Sequence, residues 1–195
     1  MQVWKFGGTS VGKPERMKSI RQLITEDGQP KIVVLSALSG STNTLLSISE
    51  SLNAGNPTEA KAKSNELRAH YDQFLTELYN TPAGLGQGQA IVAREFAFID
   101  SLIATSPYTG KQEKEMVALG ELLSTQIFEA YLKEEGVSDE EIKKTFYNPV
   151  KMKIFAWNAK REMDTIMTPF DSIRYHKQLL QTSFVAIDPH SGEVK

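Results

Sequence analysis

The spacing of apolar residues changes period along the chain, and each change predicts an element. Val3, Trp4 and Phe6 around Lys5 predict a short buried strand. Gly7-Gly8 then allows a sharp turn where side chains would block it, and Pro14 opens a helix. Met17, Ile20, Leu23 and Ile24 recur at helical spacing until about Glu26, where Asp27-Gly28-Gln29-Pro30 stops the helix. Lys31 to Ser36 is a β-branched run that reads as a strand buried on both faces. Strand, helix and strand make a βαβ unit, so the sheet should be parallel and ligands should gather at the carboxyl ends of its strands. Gly7-Gly8 and Ser36 both lie at that edge.

Helices dominate the next stretch. Leu45, Leu46 and Ile48 begin one, with Thr42 or Asn43 able to cap it, and Leu52 to Pro57 is a polar connector. From Thr58 to about Tyr79 a long helix buries Leu67, Tyr71, Phe74, Leu75 and Leu78. Thr81 to Gln89, with Pro82, Gly84, Gly86 and Gly88, reads as a loop. Another helix turns Ile91, Phe98, Leu102 and Ile103 inward and ends near Ser106-Pro107, and a further one runs from Met116 through Ile127, Phe128, Tyr131 and Leu132. His70 has no second ligand at metal spacing and receives no role.

Beyond Gly136 the pattern is different. Ser138 with Glu141 is a capping box, while Val150, Met152 and Ile154 alternate with lysines like an exposed strand. Pro169 to Leu180 is helical, and Ser183 to Ile187 is a strand entering an Asp188-Pro189-His190-Ser191-Gly192 turn.

Composition narrows the classes. The chain has 195 residues, enough for one ordinary core and a small appendage. A formal charge of -2 gives no general surface for polyanions, which argues against nucleic acid. With no cysteine there can be no disulfide, thiolate metal site or cysteine nucleophile. No apolar run is long enough to span a bilayer and no export signal is evident, so a cytoplasmic location is expected.

Chemistry concentrates at the first glycine turn. A strand, a glycine turn and a helix start form a concavity of backbone amides suited to phosphate, with Lys5 as the mobile positive charge. A P-loop would use Gly7, Gly12 and Lys13, but its next residue should be Ser or Thr to hold magnesium, and here it is Pro14. A glycine turn with nothing bound remains open.

Lys5-Phe6-Gly7-Gly8-Thr9-Ser10 resembles the opening signature of the aspartate kinases, members of the amino acid kinase family. Two later stretches agree in order and spacing. Ser36 to Asn43 is similar to the family loop ending in Thr-Asn, although capping alone would also explain Thr42. Leu119-Gly120-Glu121-Leu122-Leu123-Ser124-Thr125 is similar to the family's substrate-binding helix. There, Gly120 costs about 1 kcal/mol relative to alanine inside a helix, so something should approach its backbone. Glu121 reads either as a buried carboxylate needing a cationic partner or as a surface glutamate.

The resemblance implies an α/β fold: a parallel βαβ core with a helical insertion, an incomplete amino acid kinase fold over residues 1–137. It implies transfer of phosphate from ATP, as its Mg2+ complex, to L-aspartate, the first step toward lysine, threonine and methionine. Lys5, as the catalytic residue, would stabilise the transferring phosphoryl group. Gly7, Gly8, Thr9, Ser10 and Ser36 would contact ATP phosphates, while Thr42 and Glu121 would bind aspartate. No protein metal ligand is implied. Partners would be small-molecule substrates, with neither nucleic acid nor membrane, and the chain would be a homo-oligomer.

Residues 138–195 depart from this pattern, and the family's nucleotide-binding half does not follow. They resemble a segment of bifunctional class A penicillin-binding proteins, most distinctively at Asp188-Pro189 and Ser191-Gly192-Glu193-Val194, with a small α+β character. Either the chain is a chimera or misjoined reading frame, or the tail is a real interaction element covering an open sheet edge. Function divides accordingly into an inactive kinase fragment and a noncatalytic binding module.

Overall fold

A computed structural model describes residues 2–28, 31–105, 107–137 and 147–177. It divides into two units, residues 1–142 and 143–195. The first is mixed α/β, mostly helical around a small parallel sheet.

Strand β1 (Gln2–Phe6) leads through the short helix α1 (Gly8–Val11) into α2 (Pro14–Thr25), and β2 (Lys31–Leu35) returns parallel to β1. Trp4 lies beside Val33 and Phe6 beside Leu35 in the register. The βαβ expectation therefore holds, but burial on both faces does not: Val3 and Val34 are exposed, as is Leu23 on α2. One sheet face rests on the core, where Met17 and Ile20 of α2 are fully or nearly buried, and the other is open.

Four helices follow: α3 (Ser41–Asn53), α4 (Pro57–Leu78), α5 (Pro82–Ile103) and α6 (Gly110–Glu134). Tyr71 and Phe96 meet edge to face at 6.0 Å in their core, with Leu45, Ile48, Leu75, Ile99, Leu123 and Ile127 fully buried around them. Each such side chain contributes about 1.5–3 kcal/mol relative to exposure.

The loop expected over Thr81–Gln89 is the start of α5. Thr81 caps it by accepting from the Gly84 amide at 3.1 Å, and Pro82 fits the first turn. Gly84 and Gly88 are tolerated because the helix lies too close to its neighbours there for larger residues. A Cβ at Gly88 would stand 2.5 Å from the Tyr79 ring, and one at Gly84 would strike the Glu134 carboxylate. On the same helix Phe96 faces inward and Phe98 outward, reversing the expected assignment of Phe98.

The second unit pairs β3 (Val150–Phe155) with β4 (Glu162–Met167) as an antiparallel hairpin, followed by α7 (Pro169–Lys177). Ile154 is buried, so β3 is less exposed than its lysines suggest. Thr168 caps α7 by accepting from the Asp171 amide at 3.0 Å, and the Tyr175 hydroxyl donates to the Phe155 carbonyl at 2.8 Å. The expected capping box at Ser138 and Glu141, the end of the helix at 178–180 and the strand and turn at 183–194 lie outside the described residues.

Candidate functional site

The loops leaving β1 and β2 pack together at the carboxyl edge of the sheet. The Gly7 carbonyl accepts from the amides of Ser10 at 2.8 Å and Val11 at 3.2 Å, curling the chain into α1. Ser10 can therefore offer only its hydroxyl, whereas no backbone acceptor holds the amides of Gly8 and Thr9 among the described residues. A Cβ at Gly8 would lie 3.0 Å from the Ala37 carbonyl oxygen, and one at Gly12 would lie 2.6 Å from the Ser39 Cβ. Close approach of the second loop thus demands glycine at both positions. Gly7 has nothing within 4 Å of its missing Cβ, so the space above it is open.

Lys5 is exposed on β1 and makes no ion pair among the described residues. Arg16, which the motif reading missed, donates from Nη1 to the Thr9 carbonyl at 2.6 Å and so braces the loop from the first turn of α2. Its signal in the sequence was a basic residue just behind Pro14.

Ser36 joins the strand to the helical layer. Its amide donates to the Phe6 carbonyl at 3.0 Å, and its carbonyl accepts from Ser124 Oγ on α6 at 2.9 Å. Gly40, at φ 88°, starts α3 with no side-chain cap. This corrects the expected capping by Thr42 or Asn43: the cap position is Gly40, two residues ahead of Thr42, so Thr42 lies in the first turn of the helix with an exposed side chain. Ser41 beside it is buried and accepts from the Tyr71 hydroxyl at 3.0 Å. Burial pushes the Tyr71 hydroxyl up to about 12, against a smaller lowering by the Ser41 hydrogen bond.

The expected close approach to Gly120 is present. A Cβ there would lie 2.8 Å from the Ala37 Cβ and 3.3 Å from Leu45 Cδ1. Glu121, next in the chain, is exposed and makes no ion pair among the described residues. That corrects the buried-carboxylate reading: Leu119, Gly120, Leu123 and Ser124 take the inward face of α6, and Glu121 is turned away from it. Strand β1, the loop after β2 and helix α6 are therefore joined through Ser36 and Ala37, while Lys5, Thr9, Thr42 and Glu121 remain exposed to solvent. A groove of about 710 Å³ lined by Leu52, Pro57, Lys61, Asp100 and Tyr108 shares none of these residues.

Over 141 residues the chain is 33% identical to Aspartokinase 3, chloroplastic, of Arabidopsis thaliana, covering 69% of this chain and 24% of that protein. The first two thirds of the chain carry homology to aspartokinases. Lysine-sensitive aspartokinase 3 of Escherichia coli (strain K12) is 31% identical over 141 residues, covering 69% of this chain and 29% of that protein. The chain thus spans about a quarter of the length of these curated relatives. Among solved structures, E. coli aspartokinase III in complex with aspartate and ADP superposes with a TM-score of 0.52 at 27% identity, over 69% of this chain and 29% of that one. The same enzyme in complex with lysine and aspartate gives a TM-score of 0.56 at 27% identity, over 71% and 30%. Residues 104–180 match the penicillin-binding protein middle domain family model. That match begins ahead of α6, whose described residues pack against α5 and α3 in the first unit.

Among the described residues no group of three or more His, Cys, Asp or Glu could hold a metal ion. No described helix is long and apolar enough to cross a membrane.

Proposed function

We propose that this chain is the portion of an aspartate kinase that holds L-aspartate and the phosphates of magnesium ATP, for transfer of the γ-phosphoryl group to the side-chain carboxylate. The products are 4-phospho-L-aspartate and ADP. The observation that carries this reading is the joining of the Gly7–Gly12 loop and helix α6 at one point, Ala37, at the carboxyl edge of β1 and β2. The aspartate and ADP bound to E. coli aspartokinase III support the choice of ligands.

Lys5 neutralises charge on the transferring phosphoryl oxygens. The free amides of Gly8 and Thr9, the open space over Gly7 and the hydroxyls of Thr9, Ser10 and Ser36 receive phosphate oxygens. Glu121 holds the substrate ammonium group and Thr42 another polar group of aspartate. Exposure of these side chains leaves them free to meet ligand rather than one another. The attacking carboxylate is already ionised at neutral pH, so no general base is required. Magnesium enters with ATP as part of the substrate. A cytoplasmic location and a homo-oligomeric state go with this reading.

Calorimetry with magnesium ATP and with aspartate, on this chain and on Lys5→Ala, tests it. Binding of ATP that Lys5→Ala removes supports the assignment, and no binding of either ligand overturns it. Given its quarter-length span, the chain alone should release little ADP in a coupled assay. A second reading, a noncatalytic or chimeric binding module, is favoured by the penicillin-binding protein match over residues 104–180. ATP binding that is indifferent to Lys5→Ala would favour that module.

A further inference from the structure

Arg16 lies outside the three motifs that led to the candidate site, yet it reaches the glycine loop directly. Its side chain is exposed and makes no ion pair among the described residues. The backbone that carries it is firmly placed. Pro14 and Met17 are buried on either side of it, and the Lys13 carbonyl accepts from the amides of Arg16 and Met17, both at 3.1 Å. From this platform Nη1 donates to the Thr9 carbonyl at 2.6 Å.

That contact completes a clamp on one peptide group. The Thr9–Ser10 peptide has its N–H on the Gly7 carbonyl at 2.8 Å and its C=O on Arg16, so it cannot rotate without breaking a hydrogen bond. On the other side of Thr9, Gly8 is seated so close to the Ala37 carbonyl oxygen that an added Cβ would stand 3.0 Å from it. The Gly8–Thr9 peptide between these two fixed points carries the Thr9 amide. Helix α1 has only four residues, so its own carbonyls find few intrahelical donors and need partners from outside. A Thr9 carbonyl released from Arg16 would be able to turn, and any turn toward a bound anion sets like charge against like.

We infer that Arg16 is a positioning residue for polyphosphate: it holds the Thr9 carbonyl to α2 and so keeps the Thr9 amide presented to the anion. The inference rests on the reading of this loop as the phosphate site. Arginine suits the task, because its planar fork stays charged and loses less freedom per hydrogen bond than a lysine ammonium.

The test is calorimetry on the full 195-residue chain with two probes, magnesium ATP and inorganic tripolyphosphate. Arg16→Ala should bind both about fivefold more weakly, the equivalent of one net hydrogen bond, while aspartate affinity stays within about twofold. Arg16→Lys should recover part of the loss, since an ammonium can still donate to the carbonyl. Arg68→Ala, which removes an exposed charge from α4, should bind as the wild type does. The Arg16→Ala deficit should persist at about 0.5 M salt, where charges more than about 4–5 Å apart are screened. Without ligand, the Ser10 amide should exchange with solvent faster in Arg16→Ala than in the wild type.

A deficit shared by Arg68→Ala, or one that vanishes in salt, would make Arg16 a diffuse attraction and overturn the inference. So would an equal loss of aspartate binding, or exchange at Ser10 that does not change. Polyphosphate binding that depends on Lys5 and ignores Arg16 would overturn it and leave the kinase reading standing. A wild type that binds neither probe would remove both.

Discussion

Ala37 and Gly120 approach so closely that a methyl group on Gly120 would stand 2.8 Å from the Ala37 Cβ. Neither side has room to give, because the Ala37 Cβ is fixed to a backbone whose carbonyl already touches Gly8. Gly120→Ala gains about 1 kcal/mol of helix propensity but overpacks a tight contact, which costs about 1–3 kcal/mol. The contact wins, and a net destabilisation of about 1 kcal/mol is expected in urea denaturation. Gly86→Ala is the control: nothing lies within 4 Å of its missing Cβ, and it should stabilise α5 by about 0.5–1 kcal/mol.

The buried pair of Tyr71 and Ser41 ties α4 to the first turn of α3 through a 3.0 Å hydrogen bond. Tyr71→Phe leaves the Ser41 hydroxyl without that donor and should cost about 1–2 kcal/mol. The raised tyrosine value adds a pH signature. Tyr71 must stay neutral to remain folded, so the wild type should lose stability as pH rises from the ordinary value of 10 toward about 12, and Tyr71→Phe should lose less. Chemical denaturation at pH 8 and pH 11 checks both effects.

Period and punctuation made β1, α2, β2 and the long α4 legible in the sequence. Where reading failed, tertiary contacts had overruled local preference. The glycines at 84, 86 and 88 argue for a loop on propensity, yet the Thr81 cap and the close seats against Tyr79 and Glu134 hold a helix there. Strand β4, with Glu162, Asp164 and Thr165, lacks an apolar alternation and is held by its partner β3, so composition did not reveal it. In the candidate site the close approach at Gly120 was legible because glycine inside a helix is costly. The exposure of Glu121 was not, because its apolar neighbours do not by themselves fix the phase of the helix. Arg16 escaped because its target, the Thr9 carbonyl, is a backbone atom that carries no residue-specific signal.

Lys5 and Glu121 should separate binding from stability. Both are exposed and without ion pairs among the described residues, so Lys5→Ala and Glu121→Gln should each change stability by less than about 0.5 kcal/mol. Their ligand effects should differ in kind. Loss of the ammonium group should weaken ATP binding about tenfold or more while sparing aspartate, and loss of the Glu121 charge should do the opposite, since a charged hydrogen bond contributes about 1.5–3 kcal/mol. Calorimetry of both variants with both ligands checks this; equal losses for both ligands would count against separate roles.

Glu134 predicts how acid acts on the helical layer. Its carboxylate accepts from the Asn80 amide at 3.1 Å, the Thr81 amide at 2.8 Å and Thr81 Oγ1 at 2.6 Å, holding the end of α6 to the start of α5. Burial alone would raise its pKa, but these hydrogen bonds, with a smaller contribution from Lys18, outweigh burial and lower it below the ordinary 4.5. A lowered value in the folded state means that the carboxylate's contribution is complete above the unfolded value and is lost as pH falls through the folded one. Stability should therefore decline as pH drops below about 4.5, in part because Glu134 takes up a proton. Glu134→Gln should be less stable at pH 7, because an amide oxygen replaces a charged acceptor, and its stability should fall less steeply between pH 5 and pH 3. Urea midpoints measured across that range for both proteins check the difference, and parallel curves would mean that the Thr81 contacts are equally strong with an uncharged acceptor.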